Sequence, residues 1–261
     1  MIVIKISGGL GNQMLKYAYG RSLELSGKKI IFDISFFHGY KASRDVARDF
    51  KLDKFNLQTQ VKFSQKKHIF LDLWIKLKRK LGFKITTDYP NEKHFIIHTD
   101  EIRQEFVLKK ELSNSATEIL QKIETENSIA LHIRHGDFVT NKITHAYHGV
   151  CNLTYYHIAI KTIKEKIYHP IFFIFSDDIA WAKANFSGEE FVFVSSPTTK
   201  DYEELILMSR CYHQIIANSS FSWWGAWLNR NPHKVVIAPK KWFNSKRPDS
   251  SEIIPDNWIK L

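Results

Sequence analysis

The second half of the chain alternates short, almost uninterrupted apolar runs with segments of helical character, and no other feature constrains the fold as strongly. The runs are IALHI (129–133), IFFIFS (171–176), FVFV (191–194), QIIAN (214–218) and KVVIAP (234–239). A strand without a polar face must be covered on both sides. Strands of this kind, separated by helices, form parallel sheets sandwiched between helical layers. The intervening spacing predicts helices over 154–167, 178–185, 201–210 and 219–229. The start of the chain follows the same grammar. A strand IVIKI (2–6) leads into a glycine-rich turn, SGGLGNQ (7–13), then a helix over 14–25 and a strand KKIIFD (28–33). Residues 36–115 mix aromatics and lysines without a clean period and are assigned only loosely.

The polar helical stretch TEILQKIETENS (117–128) separates two α/β halves, placed at 1–125 and 126–261. A chain of 261 residues, 44% hydrophobic, has enough apolar surface for a sizeable core, which excludes a disordered or low-complexity protein. The formal net charge of +11 points to an anionic partner: nucleic acid, a phosphorylated metabolite or a membrane surface. Cys151 and Cys211 are too few for a disulfide framework or a zinc knuckle and read as reduced thiols. The apolar run at the start is too short for a signal peptide, and no stretch approaches about 18 apolar residues, so a cytoplasmic protein is expected. Segment 69–85 (IFLDLWIKLKRKLGFKI) is amphipathic and basic. Its plainer reading is a solvated helix face; its sharper one is an interfacial helix giving peripheral contact with the inner face of the membrane.

In open α/β sheets, ligands bind beyond the carboxyl ends of strands. Four turns of that kind carry polar residues here. In SGGLGNQ, Gly8, Gly9 and Gly11 permit close backbone approach, and Asn12 and Gln13 open the helix; an ordinary tight turn is the alternative. In HIRHGDF (132–138), His132 and Arg134 share a strand face. Arg134 offers a planar fork for phosphate, and Asp137 serves either as its ion-pair partner or as a base. In FSDD (175–178), Asp177 can accept from the N1–H and N2–H₂ edge of guanine, while Ser176 or Asp178 caps a helix. In NSSFSWWGAWL (218–228), Ser219 and Ser220 start a helix whose amides favour an anion, and Phe221 can stack on a base or sugar. Trp223, Trp224 and Trp227 read as core. The set suits a nucleotide diphosphate held without metal; no Asp-x-Asp or cysteine cluster is present, so no catalytic metal is predicted.

The succession GGLGNQM, HIRHGD, FSDD, DYEELILMSRC and NSSFSWWGAWL, spread from the first turn to residue 228, resembles the bacterial α-1,2-fucosyltransferases of glycosyltransferase family 11. The resemblance implies a GT-B-like fold of two Rossmann-type halves facing across a cleft, with the acceptor on the N-terminal side. It implies inverting, metal-independent transfer from GDP-β-L-fucose to the 2-hydroxyl of a galactose-containing acceptor in surface-glycan synthesis, the acceptor in some cases lipid-linked. GDP-fucose is then a co-substrate, and no cofactor is needed. By the same resemblance Arg134 holds the diphosphate, His132 lies against the nucleotide, Asn12 sits near the fucosyl–phosphate bond, and Asp177 reads guanine. Ser219, Ser220 and Phe221 close over phosphates and sugar. The chain departs from the family where His135 replaces a common second arginine, and where Leu15, followed by Lys16, stands after Met14 in place of an aromatic. Two alternatives stand beside this reading: the same fold using another GDP-sugar or acceptor, and a basic nucleic-acid-binding protein. The scattered lysines and the lack of any nucleic-acid-binding motif speak against the latter.

Overall fold

The structure is a computed structural model that describes residues 2–37, 48–59, 63–64, 91–244 and 252–261, without the side chains of residues 64, 137, 138, 143 and 144. Segment 69–85 lies outside the described residues, as does the side chain of Asp137. The chain forms two compact units, Met1–Lys109 and Lys110–Leu261. Each carries its own parallel sheet, as the expected α/β class requires. The division falls earlier than the 125/126 read from the sequence. The polar helix α3 (Asn114–Thr125) belongs to the second unit, where the Ser113 amide donates to Glu203 Oε1 at 2.7 Å and fastens the start of that helix.

In unit 1, β1 (Ile2–Lys5), β2 (Ile30–Asp33) and the short β3 (Phe63–Ser64) lie side by side in that order. Helix α1 (Leu10–Leu25) makes the crossover and starts four residues earlier than its periodicity predicts. The turn itself needs only Ser7–Gly9: Gly8 takes φ +85°, a conformation that favours glycine, and Gly9 heads the helix without a capping side chain. The helix then packs so closely on the sheet at Gly20 that a Cβ there would lie 2.4 Å from the Phe32 ring. Tyr17 stacks on the same ring at 5.2 Å. Its hydroxyl donates to the buried Glu105 carboxylate at the end of α2 (Thr99–Glu105), which also takes the Arg21 guanidinium at 2.7 Å.

In unit 2, six strands run parallel: β4 (Asn127–Ile133), β5 (Pro170–Ser176), β6 (Phe191–Phe193), β7 (His213–Ile215), β8 (Val236–Ala238) and β9 (Ile259–Lys260). Their spatial order is β6-β5-β4-β7-β8-β9. Numbered within the unit this is 3-2-1-4-5-6, the Rossmann order, whose direction reverses between β4 and β7. The strands are apolar on both sides because both sides are covered. Ile129, Leu131, Ile133, Phe172 and Ile174 pack with Tyr156, Ala159 and Ile163 of α6 (Leu153–Lys164), while Ala130, Phe173 and Phe175 on the alternate positions are equally buried. Two short helices that periodicity did not predict, α4 (Gly136–Thr140) and α5 (Lys142–His148), fill the connection after β4. Helices α7 (Ile179–Asn185), α8 (Asp201–Arg210) and α9 (Ser220–Leu228) lie within a residue or two of their predicted spans. Trp223, Trp224 and Trp227 are buried, as their core reading requires, and the Trp223 indole donates to the Ile253 carbonyl at 2.8 Å. Cys151 and Cys211 are free thiols, and burial pushes Cys151 up to about 12.

Because the Phe32 ring is fully buried and has nowhere to retreat, Gly20→Ala is expected to lower stability by about 1–3 kcal/mol. Urea denaturation of the variant beside the parent chain measures it.

Candidate active site

The reversal of strand order opens a crevice at the carboxyl ends of β4 and β7, and the residues singled out in the second half converge there. The β4–β5 register pairs Ile133 with Ser176, so the next residues on each strand, Arg134 and Asp177, arrive side by side. Their side chains meet at 3.1 Å between guanidinium Nη1 and Oδ2. The other carboxylate oxygen of Asp177 accepts from the main-chain amides of His135 at 2.8 Å and Gly136 at 3.1 Å. One carboxylate therefore sets both the arginine and the turn that carries it. Gly136 is required for this approach, since a Cβ there would lie 2.7 Å from Oδ2. The partner that braces Arg134 is thus Asp177, and the guanine-reading role expected of Asp177 meets a carboxylate whose two oxygens are both engaged.

His135 is held one step further out. Its Nδ1 donates to Asp178 Oδ2 at 2.8 Å, and its ring stacks on Trp181 with centroids 4.6 Å apart. Asp178 also caps α7 by accepting from the Trp181 amide at 3.0 Å. These two hydrogen bonds, the amide first, keep its carboxyl below the usual range.

His132 lies on the sheet face toward α9, with its ring centroid 5.7 Å from that of Phe221. It is 4% exposed, and its Nδ1 has no hydrogen-bond partner among the described residues. Burial, followed by the Arg134 charge, drives its pKa down to about 3, so the ring is neutral at physiological pH. A buried, neutral nitrogen left without a partner beside a fixed cation is a place for a polar ligand atom. Opposite it, Ser219 caps α9 by accepting from the Phe221 amide at 3.3 Å, and Ser220 begins the helix. Asn218 anchors that junction: its side-chain amide donates to the carbonyls of His148 (2.9 Å), Gly149 (3.3 Å) and Trp242 (3.2 Å).

The unit 1 candidates form a cluster of their own. Gly9 has open space where a Cβ would stand, whereas the Asn12 side chain lies over Gly8 and Gly11 is buried. Gln13, expected to touch substrate, is fully buried. Its amide donates to the carbonyls of Gly8 at 3.0 Å and Asp49 at 2.8 Å and accepts from the Lys51 amide at 3.0 Å. It fastens the turn and has no surface left for a ligand.

Sequence reasoning passed over Glu204. It stands on α8 next to Glu203, which is engaged structurally with Ser113. Glu204 hydrogen-bonds Ser195, whose hydroxyl in turn accepts from the Ser176 amide at 2.9 Å. Burial chiefly, then the charges of Asp201 and Asp177, raise its carboxyl to about 7. The pair of adjacent acids, one facing the neighbouring helix and one facing the ends of β5 and β6, was the available signal.

The sequence model of the family described as Glycosyl transferase family 11 matches residues 1–261. An O-antigen biosynthesis glycosyltransferase WbnK of Escherichia coli is 31% identical, covering 98% of this chain and 99% of that protein. An alpha-1,2-colitosyltransferase of Escherichia coli is 32% identical, covering 100% of this chain and 99% of that protein. A galactoside 2-alpha-L-fucosyltransferase SEC1 of Bos taurus is 28% identical over 54% of this chain and 41% of its own length.

The raised Glu204 pKa has a definite consequence for stability. The folded state binds this proton more tightly than the unfolded chain, so the contribution is complete at acid pH and is lost as pH rises through about 7. Denaturation midpoints of Glu204→Gln are expected to fall less than those of the parent between pH 5 and pH 8.

Proposed function

The chain belongs to glycosyl transferase family 11, and from that premise we propose that it transfers L-fucose from GDP-β-L-fucose to the 2-hydroxyl of a galactose-containing acceptor during surface-glycan synthesis. The transfer proceeds with inversion and without a metal ion. The observation that carries this reading is Arg134, fixed by Asp177 at the strand-order reversal beside a neutral His132 whose Nδ1 awaits a partner.

Glycosyl transfer breaks the bond between the anomeric carbon and the β-phosphate oxygen and leaves that electron pair on GDP. The acceptor oxygen forms the new bond from the opposite face and gives up its proton, while positive charge develops on the sugar ring. Preorganised donors aimed at the departing charge usually make the largest contribution to such a barrier. Arg134 supplies a fixed guanidinium, and the start of α9 at Ser219 and Ser220 supplies main-chain amides with the favourable end of a helix dipole. His132 offers a hydrogen-bonding position for the nucleotide, and Phe221 offers a face for sugar or base. With both Asp177 oxygens engaged, the guanine edge is assigned to Glu204, whose ionised form accepts from N1–H and N2–H₂. Gly9, Gly11 and Asn12 are assigned to the sugar side, and Asp137 to the acceptor proton. No helix among the described residues is long and apolar enough to cross a membrane.

The similarity to an alpha-1,2-colitosyltransferase favours a second reading, in which the donor sugar is colitose. Incubation with GDP-fucose or GDP-colitose, a panel of β-galactosides and EDTA, with the linkage read by NMR, separates the two. An α-1,2-fucosyl product formed in chelator is the expected result; no product without added divalent metal refutes the metal-free mechanism.

Arg134→Ala, with its fold checked by circular dichroism, is expected to lower kcat/KM for the donor by about a thousandfold or more. The donor KM of the parent is expected to rise as pH falls below about 7, as Glu204 takes up its proton, and that dependence is expected to flatten in Glu204→Gln.

A further inference from the structure

Helix α1 carries two cations with opposite fates. Arg21 is half-enclosed by carboxylates, with Glu105 at 2.7 Å and Glu24 at 2.9 Å. Lys16 has none. Its side chain runs back along the helix, as long helical side chains do, and its ammonium meets the Ser7 hydroxyl at 2.5 Å and, less closely, the Ser7 carbonyl at 3.5 Å. Both are uncharged acceptors. Lys5, at the end of β1, adds a like charge nearby, and no carboxylate among the described residues pairs with Lys16. Burial, then Lys5, lower its pKa to about 8. A cation withdrawn from water without a counter-charge is costly to maintain, and this one stands at the carboxyl end of β1, beside a turn whose Gly9 leaves open space.

We propose that Lys16, with Lys5 and Ser7, forms an oxyanion subsite in unit 1 that binds a phosphate or carboxylate carried by the acceptor. The assignment to the acceptor rests on the reading above, in which the donor diphosphate belongs to Arg134 and α9 of unit 2. An anion at Lys16 supplies the missing charge and gains a charge-assisted hydrogen bond. A neutral galactoside gains neither, so the subsite selects acidic acceptors.

The test has two independent arms. In the first, inorganic pyrophosphate is added to the wild-type protein, and acetic-anhydride labelling of Lys16 is followed by mass spectrometry against pH. Protection of Lys16, with its apparent pKa moved upward, is expected; unchanged labelling overturns the subsite. This arm needs no turnover, so it stands apart from any failure of the donor assignment. In the second, wild type, Lys16→Gln and Lys16→Arg are compared on matched β-galactosides that are neutral, carry a carboxylate, or carry a glycosyl phosphate. The preference for the better anionic acceptor is expected to fall about tenfold or more in Lys16→Gln, through acceptor KM, and to persist in Lys16→Arg. The two anionic acceptors identify which oxyanion is recognised. A preference unchanged in Lys16→Gln, or a loss equal for all three acceptors with a raised donor KM, overturns the assignment to the acceptor.

Discussion

The Asp177 carboxylate is the interaction on which the rest of the second unit's crevice depends. It bonds the Arg134 guanidinium with one oxygen and two consecutive main-chain amides with the other. Hydrogen bonds to a charged group contribute roughly 1.5–3 kcal/mol each when shielded, and less at the partial exposure seen here. Their larger effect is geometric. An arginine side chain has many rotamers, and a cation in the role proposed for Arg134 must occupy one before the charge it meets appears. Remove the brace, and the turn at 134–136 loses its acceptor while Arg134 loses its direction. The neutrality of His132 follows as well, because the charge that Asp177 positions adds to burial in disfavouring imidazolium.

The opposite wall of the crevice is set by bulk. Helix α9 cannot shift along the sheet because its three tryptophans are packed into the interior and Gly225 allows α8 to approach until Met208 Cβ would stand 2.9 Å from an added Cβ. Asn218 ties the strand end to three carbonyls from two other segments. Ser219 and Ser220 are thereby mounted on a closely packed helix. A polar brace fixes one side of the site, and close packing fixes the other.

The fold of the second half was legible because its strands are apolar without interruption, as the burial of both faces of β4 and β5 requires. The weaker edge escaped notice: β9 is two residues long and has no run to detect. The first helix was misjudged at its start because three glycines read as a long turn, when only Gly8 needs a left-handed conformation. At the site, Arg134, His132 and Ser219 were visible from their positions at strand ends and helix starts. The roles of Asp177 and Gln13 were not. Residue type predicts that a carboxylate or amide will be satisfied, but the partner depends on sheet register, in one case a strand 42 positions away. Glu204 was obscured for the same reason, since its ionisation depends on burial that no local pattern records.

The edge strand β9 and the hold of Ile253 on Trp223 make the second unit a late-closing structure. On the ribosome, β4, β5 and the arginine turn emerge well before the residues that lock α9 in place. The nascent protein therefore passes through an interval in which a tryptophan-rich helix lacks its final cover. The two sides of the crevice are completed at different times, the arginine turn first and α9 last.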